Sequence, residues 1–137
     1  MLVGFGAGGA TDTIARVYGQ KLSELLKTPV IIDNKPGASQ LLAIHALQQA
    51  EPDGHTLHIA SASSLAEGPA VRSDLDYDPL KAFTHVGFIG TAPGIITLNL
   101  DFPARSVGEL ITYAKAHPGS ISYASAGFGS DDHLVGE

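Results

Sequence analysis

No cysteine occurs in the 137 residues, which removes disulfides and thiolate chemistry and says nothing about compartment. Basic residues are scarce. Eight Lys and Arg against fourteen acidic residues leave a net charge of -6. That balance argues against nucleic acid as a partner, and it means that an anionic guest must be held by local amides, not by a positive field. No apolar run approaches the length that crosses a bilayer. No charged leader with a following apolar stretch precedes the first strand, which leaves open a signal removed elsewhere. Catalytic signatures are missing too: there is no G-x-S-x-G elbow, P-loop or H-E-x-x-H, so the chain reads as a non-enzyme. No cofactor or metal is expected. His55 and His58 would project to opposite faces of a strand, and adjacent side chains in Asp131-Asp132-His133 diverge.

What is present is organised around Phe5 to Asp12, Phe-Gly-Ala-Gly-Gly-Ala-Thr-Asp. This stretch follows a short apolar run, Met1 to Val3, and opens into an amphipathic segment. A strand, a glycine-rich turn and a helix start leave backbone N–H groups pointing one way with the positive end of the helix dipole behind them, a geometry that holds an anion. Thr11 or Asp12 is placed to cap the helix, and the Thr11 hydroxyl is within reach of a guest. From Thr11 to Lys27, Ile14, Val17, Tyr18, Leu22, Leu25 and Leu26 recur at helical spacing. Val30 to Ile32 reads as a strand buried on both faces, Asn34-Lys35-Pro36-Gly37 as a turn, and Ser39 to Ala50 as a second helix. Thr56 to Ala60 is a third strand. Alternating strands and helices with short connections predict a parallel sheet wound by right-handed crossovers.

Ser61-Ala62-Ser63-Ser64 follows at the carboxyl end of that strand, where open α/β sheets place their ligands. Residues 65–82 read as irregular or weakly helical. His85 to Gly90, Ile95 to Leu100 and Ile121 to Ala124 are further strand candidates, and Val107 to Ala116 carries an apolar helical stripe. Gly127-Phe128-Gly129-Ser130 forms a second glycine-rich turn before His133. The second lobe reads as begun and unfinished, with residues 1–97 as the first lobe and 98–137 as a crossover strand and the start of the next.

Two readings of the first turn compete. Gly4 to Gly9 matches G-x-G-x-x-G between a strand and a helix, and Asp33 ends the next strand near where a ribose-binding acid is expected. That pattern describes the dinucleotide-binding domain of an NAD-dependent oxidoreductase. Asp12 is awkward in it, because a carboxylate in the first helical turn lies near the pyrophosphate.

The other reading is a resemblance along the whole chain. Val3 to Arg16 resembles the opening of the Bug (TctC-like) solute receptors, the extracytoplasmic binding components of tripartite tricarboxylate transporters. Asp33 to Ala38, Pro52 to Leu57, Tyr77 to Lys81 and Ser122 to Gly127 are similar to later blocks of that family, in order. The resemblance implies a periplasmic-binding-protein type II-like fold, a parallel sheet with helices on both faces, here as the first lobe plus the start of the second. It implies a periplasmic location, a small carboxylate ligand (a di- or tricarboxylate, an aromatic acid or an amino acid) and membrane permease subunits as partners. Carried over, the ligand-binding residues are Phe5, Gly6, Ala7, Gly8, Gly9, Thr11 and Asp12 on one loop and Ser61, Ala62 and Ser63 on another. Gly127, Gly129, Ser130 and His133 form the facing wall.

Departures matter as well. Gly4 stands where a proline is common, and Asp131-Asp132 put negative charge beside the second wall, which disfavours a tricarboxylate and leaves room for an amino acid or a monocarboxylate. Family members are longer, so the chain is expected to be a truncated fragment. An unfinished lobe also admits a third reading, a self-associating structural piece without ligand.

Overall fold

The computed structural model describes residues 1–91, 93–125, 128 and 130–137. At its centre lies β1 (Leu2–Val3), flanked in parallel by β2 (Asp33–Asn34) and β3 (His58–Ile59) in the order β2-β1-β3. Leu2 pairs with Asp33 on one side and His58 on the other, and Val3 with Asn34 and Ile59. Helix α1 (Ala10–Leu26) links β1 to β2, and α2 (Leu41–Gln48), entered through a 3-10 turn at Ala38–Gln40, links β2 to β3. The first crossover runs outward from β1 and the second runs back across it, so right-handed connections place α1 and α2 on opposite faces. Val3, Ala15 and Ile59 form the core beneath α1, with Met1, Phe5 and Ile32 packed against it. Ala43 and Ile44 of α2 are fully buried.

The expected strand at Val30 to Ile32 begins later. Ladder pairing starts where Asp33 N donates to Met1 O at 2.9 Å and continues where Lys35 N donates to Val3 O at 2.8 Å. Ile32 packs on the core while Ile31 is 76% exposed, because this edge strand has one covered face and its side chains alternate across it. The serine stretch is not a simple loop: a π-helical turn spans Ser63–Glu67 and runs into α3 (Gly68–Val71).

Three strand expectations are corrected. Among the described residues, 85–90, 95–100 and 121–124 have no ladder partner. A strand exists only beside another, and here Phe88 and Leu100 are 84% and 85% exposed, with no neighbouring chain to take up their N–H and C=O groups. The helical stripe at 107–116 forms α4 (Val107–Ala116), capped by Ser106, whose hydroxyl accepts from Glu109 N. Helix α5 (Asp131–Gly136) follows.

Candidate functional site

The glycine turn leaves β1 exposed from Gly6 to Ala10, with Thr11 half-buried and Phe5 half-buried against the core. Phe5 thus serves packing. Gly8 carries φ +88, a left-handed conformation that glycine adopts without steric cost. The first helical bond is donated by Thr13 N to Gly9 O, and Gly9 makes no side-chain cap. Among the described residues, the amides of Ala10, Thr11 and Asp12 therefore have no acceptor, as the opening N–H groups of an uncapped helix do not.

Two expected contacts are placed differently. Asp12 is 2% exposed, and its carboxylate points under the turn, where Oδ2 accepts from Gly8 N at 2.8 Å and Arg16 Nε at 2.9 Å and Oδ1 accepts from Asn34 Nδ2 at 2.9 Å. The Arg16 hydrogen bond, then the Gly8 amide and Asn34, hold this carboxyl well below the usual range. Asp12 thus anchors the turn, and Gly8 N is already bonded to it. The helix-start amides left without acceptors are those further along, of Ala10 and Thr11. The negative charge of Asp12 is offset by Arg16, so it does not cancel the helix dipole in front of it.

Sequence reasoning missed the residues that fix this arrangement. Asn34, on β2, also donates to Phe5 O at 3.1 Å, and Arg16 Nη2 lies 3.3 Å from Asn34 Oδ1, so the two bracket Asp12. The Asn34-Lys35 turn signal is thereby explained as the tie between the sheet edge and the glycine turn. Gln40 was read only as part of a helix, although it lies beside the site. A Cβ added to Gly4 would stand 2.5 Å from Gln40 Cβ, so Gly4 is a close-approach position.

The other two walls come next to the same corner. Ser61 Oγ accepts from Gln40 Nε2 at 2.6 Å, and Ala62 is exposed. Ser63 is buried, with its hydroxyl 3.2 Å from Glu67 Oε2 and 3.3 Å from Asp131 Oδ1; its single proton serves one at a time. Ser39 Oγ donates to Phe128 O at 2.8 Å, which ties Phe128 to the turn that precedes α2. Ser130 is buried and caps α5, accepting from His133 N. The His133 ring packs against Phe128 with centroids 4.9 Å apart, and its Nδ1 is buried without a partner. Gly127 and Gly129 lie outside the described residues. Among the described residues no group of His and carboxylate side chains is arranged to hold a metal, and no helix is long and apolar enough to cross a membrane.

The family described as the tripartite tricarboxylate transporter family receptor matches residues 14–137. The chain is 38% identical over 134 residues to a UPF0065 protein of Bordetella pertussis and 33% identical over 138 residues to protein BugT of the same organism. It covers 98% and 100% of itself in these matches but 41% and 42% of the relatives, so it spans about two fifths of their length. A solved structure described as a periplasmic transporter superposes with a TM-score of 0.90 at 39% identity, over 98% of this chain and 45% of that one. R. palustris Rpa4515 with adipate superposes with a TM-score of 0.88 at 34% identity, over 97% and 45%. With the family model matching residues 14–137, the chain belongs to the tripartite tricarboxylate transporter receptor family.

Proposed function

We propose that the chain provides the ligand-gripping part of a periplasmic solute receptor that captures a small carboxylate and presents it to membrane permease subunits. The observation that carries this reading is the uncapped start of α1, where the Ala10 and Thr11 amides stand without acceptors behind an exposed glycine turn. Such a helix start stabilises a carboxylate without any basic side chain. The adipate of the R. palustris relative is a carboxylate guest in the same fold. Residues 1–97 then form the first lobe and 98–137 begin the second, which closes over the guest because the guest binds the closed state better. The family match over residues 14–137 supports this reading over the dinucleotide one; the Asp12 carboxylate, turned under the loop and paired with Arg16, does not discriminate between the two anions.

A thermal-shift screen with di- and tricarboxylates, aromatic acids and amino acids against NAD tests the assignment. A shift with acids and none with NAD is expected; the reverse result would restore the oxidoreductase reading. Self-association without ligand is the second reading, favoured by the exposed Val86, Phe88, Ile95 and Leu100. Sedimentation across a range of concentrations separates it from a ligand-binding monomer.

A further inference from the structure

This inference rests on the reading above, in which the serine turn lines the guest's cleft, and it adds a residue that governs that turn from outside. Residues 63–67 wind as a π-helical turn, with Gly68 N donating to Ser63 O five residues back. Such turns are rare and collect at functional sites. The winding is close-fitted: a Cβ on Gly68 would stand 2.6 Å from Ser63 O. Continued by one residue, the same winding would give Ser64 O the amide of residue 69. That residue is Pro69, which has no N–H to donate.

Ser64 is 2% exposed, so its carbonyl must find a donor within the protein. Tyr77 is that donor. Its hydroxyl donates to Ser64 O at 2.6 Å from thirteen residues along the chain. The phenol is itself held: the neighbouring Asp76 Oδ1 lies 3.1 Å from His45 Nε2 on α2, and the Tyr77 ring packs on Phe83 with centroids 5.8 Å apart. Burial raises the Tyr77 pKa, which keeps the hydroxyl a donor. The serine turn is thus gripped at both ends, by Gln40 Nε2 on Ser61 Oγ and by Tyr77 on Ser64 O.

We propose that Tyr77 is a positioning residue of the receptor: its hydroxyl replaces the amide that Pro69 withholds, and so fixes the one winding in which the serine turn is presented to the guest. Without it, Ser64 O competes with Ser63 O for the Gly68 amide, and the turn has two windings in place of one. Tyr77 makes no contact with the guest in this account.

Residue-resolved amide hydrogen exchange of the purified chain tests this in the wild type, Tyr77→Phe and Tyr77→Phe/Pro69→Ala. Phenylalanine keeps the ring contact with Phe83 and removes the donor alone; alanine at 69 restores an N–H where Ser64 O lacks one. Tyr77→Phe should speed exchange at Leu65 and Gly68 at least ~5-fold, the effect of leaving a buried acceptor unpaired, while Leu110 in α4 stays level. The second substitution should return both amides to within ~2-fold of the wild type, a rescue that a merely space-filling Tyr77 would not allow. Calorimetric titration of the same three proteins with glutarate, benzoate and glutamate should show the matching loss and recovery of affinity for each acid that binds. Unchanged exchange at Gly68, exchange raised evenly along the chain, or no rescue by Pro69→Ala would overturn the inference. So would affinity that stays level in Tyr77→Phe, and both results leave the carboxylate receptor standing. No binding of any of the three acids by the wild type would overturn that reading itself, and the role of Tyr77 with it.

Discussion

Ala10→Pro isolates one backbone donor. Ala10 is the first residue of α1 and exposed, and proline is favoured at this position because its missing N–H has no intrahelical partner to lose. The preceding residue accepts it: Gly9 sits at φ -75° and ψ 173°, within the extended region that a following proline requires. The substitution therefore removes the Ala10 amide and places the ring where a carboxylate oxygen would approach, without breaking the helix. A hydrogen bond to a charged group is worth about 1.5–3 kcal/mol, which corresponds to a loss of about 10-fold to about 150-fold in affinity. Stability should stay level or rise by about 0.4–1 kcal/mol, because proline narrows the unfolded ensemble. Calorimetric titration with the best acid from the screen, paired with urea unfolding, reads both quantities. Unchanged affinity at unchanged stability would refute the placement of the guest. A large loss of stability would refute the claim that this amide is unpaired.

Three other outcomes follow from the packing and the titrating groups. Gly4→Ala should cost about 1–3 kcal/mol in urea unfolding through overpacking against Gln40, and much less in a Gln40→Gly background that removes the clashing Cβ; additive costs would refute the contact. Burial lowers the His58 pKa from 6.5 to about 4, so the unfolded chain takes up the proton first as pH falls. Stability should accordingly drop by about 3 kcal/mol between pH 7 and pH 4, a slope that His58→Leu should flatten and that urea midpoints would register. Asp12 runs lower: its folded pKa is depressed, so its contribution is present above the unfolded value near ~3.9 and is lost as pH falls through the folded one. Asp12→Asn should remove that acid limb, and an unaltered acid transition would show that the carboxylate is not anchored by Arg16, Gly8 and Asn34.

The glycine turn and α1 were legible because their signals are local: spacing of apolar residues at helical intervals and glycines at the strand end. The parallel sheet was legible for the same reason, through the short connections between alternating elements. Apolar content alone misled at 85–90, 95–100 and 121–124, because a strand depends on a neighbour that no local pattern names. The direction of Asp12 was equally hidden. As a helix-start carboxylate it suits either a cap or a ligand contact, and only the distant Asn34 and the next-turn Arg16 decide between them. Gln40 escaped because its place against Gly4 and Ser61 depends on left-handed φ angles, which residue type does not reveal.

The central claim is that peptide nitrogens at the start of α1 grip the guest's carboxylate. Amide proton and nitrogen shifts followed through a titration with the tightest-binding acid test it most directly. The account predicts that Ala10 and Thr11 move furthest and saturate with the calorimetric affinity, while Gly8, already bonded to Asp12, moves little. Saturable binding with Ala10 and Thr11 unmoved would contradict it.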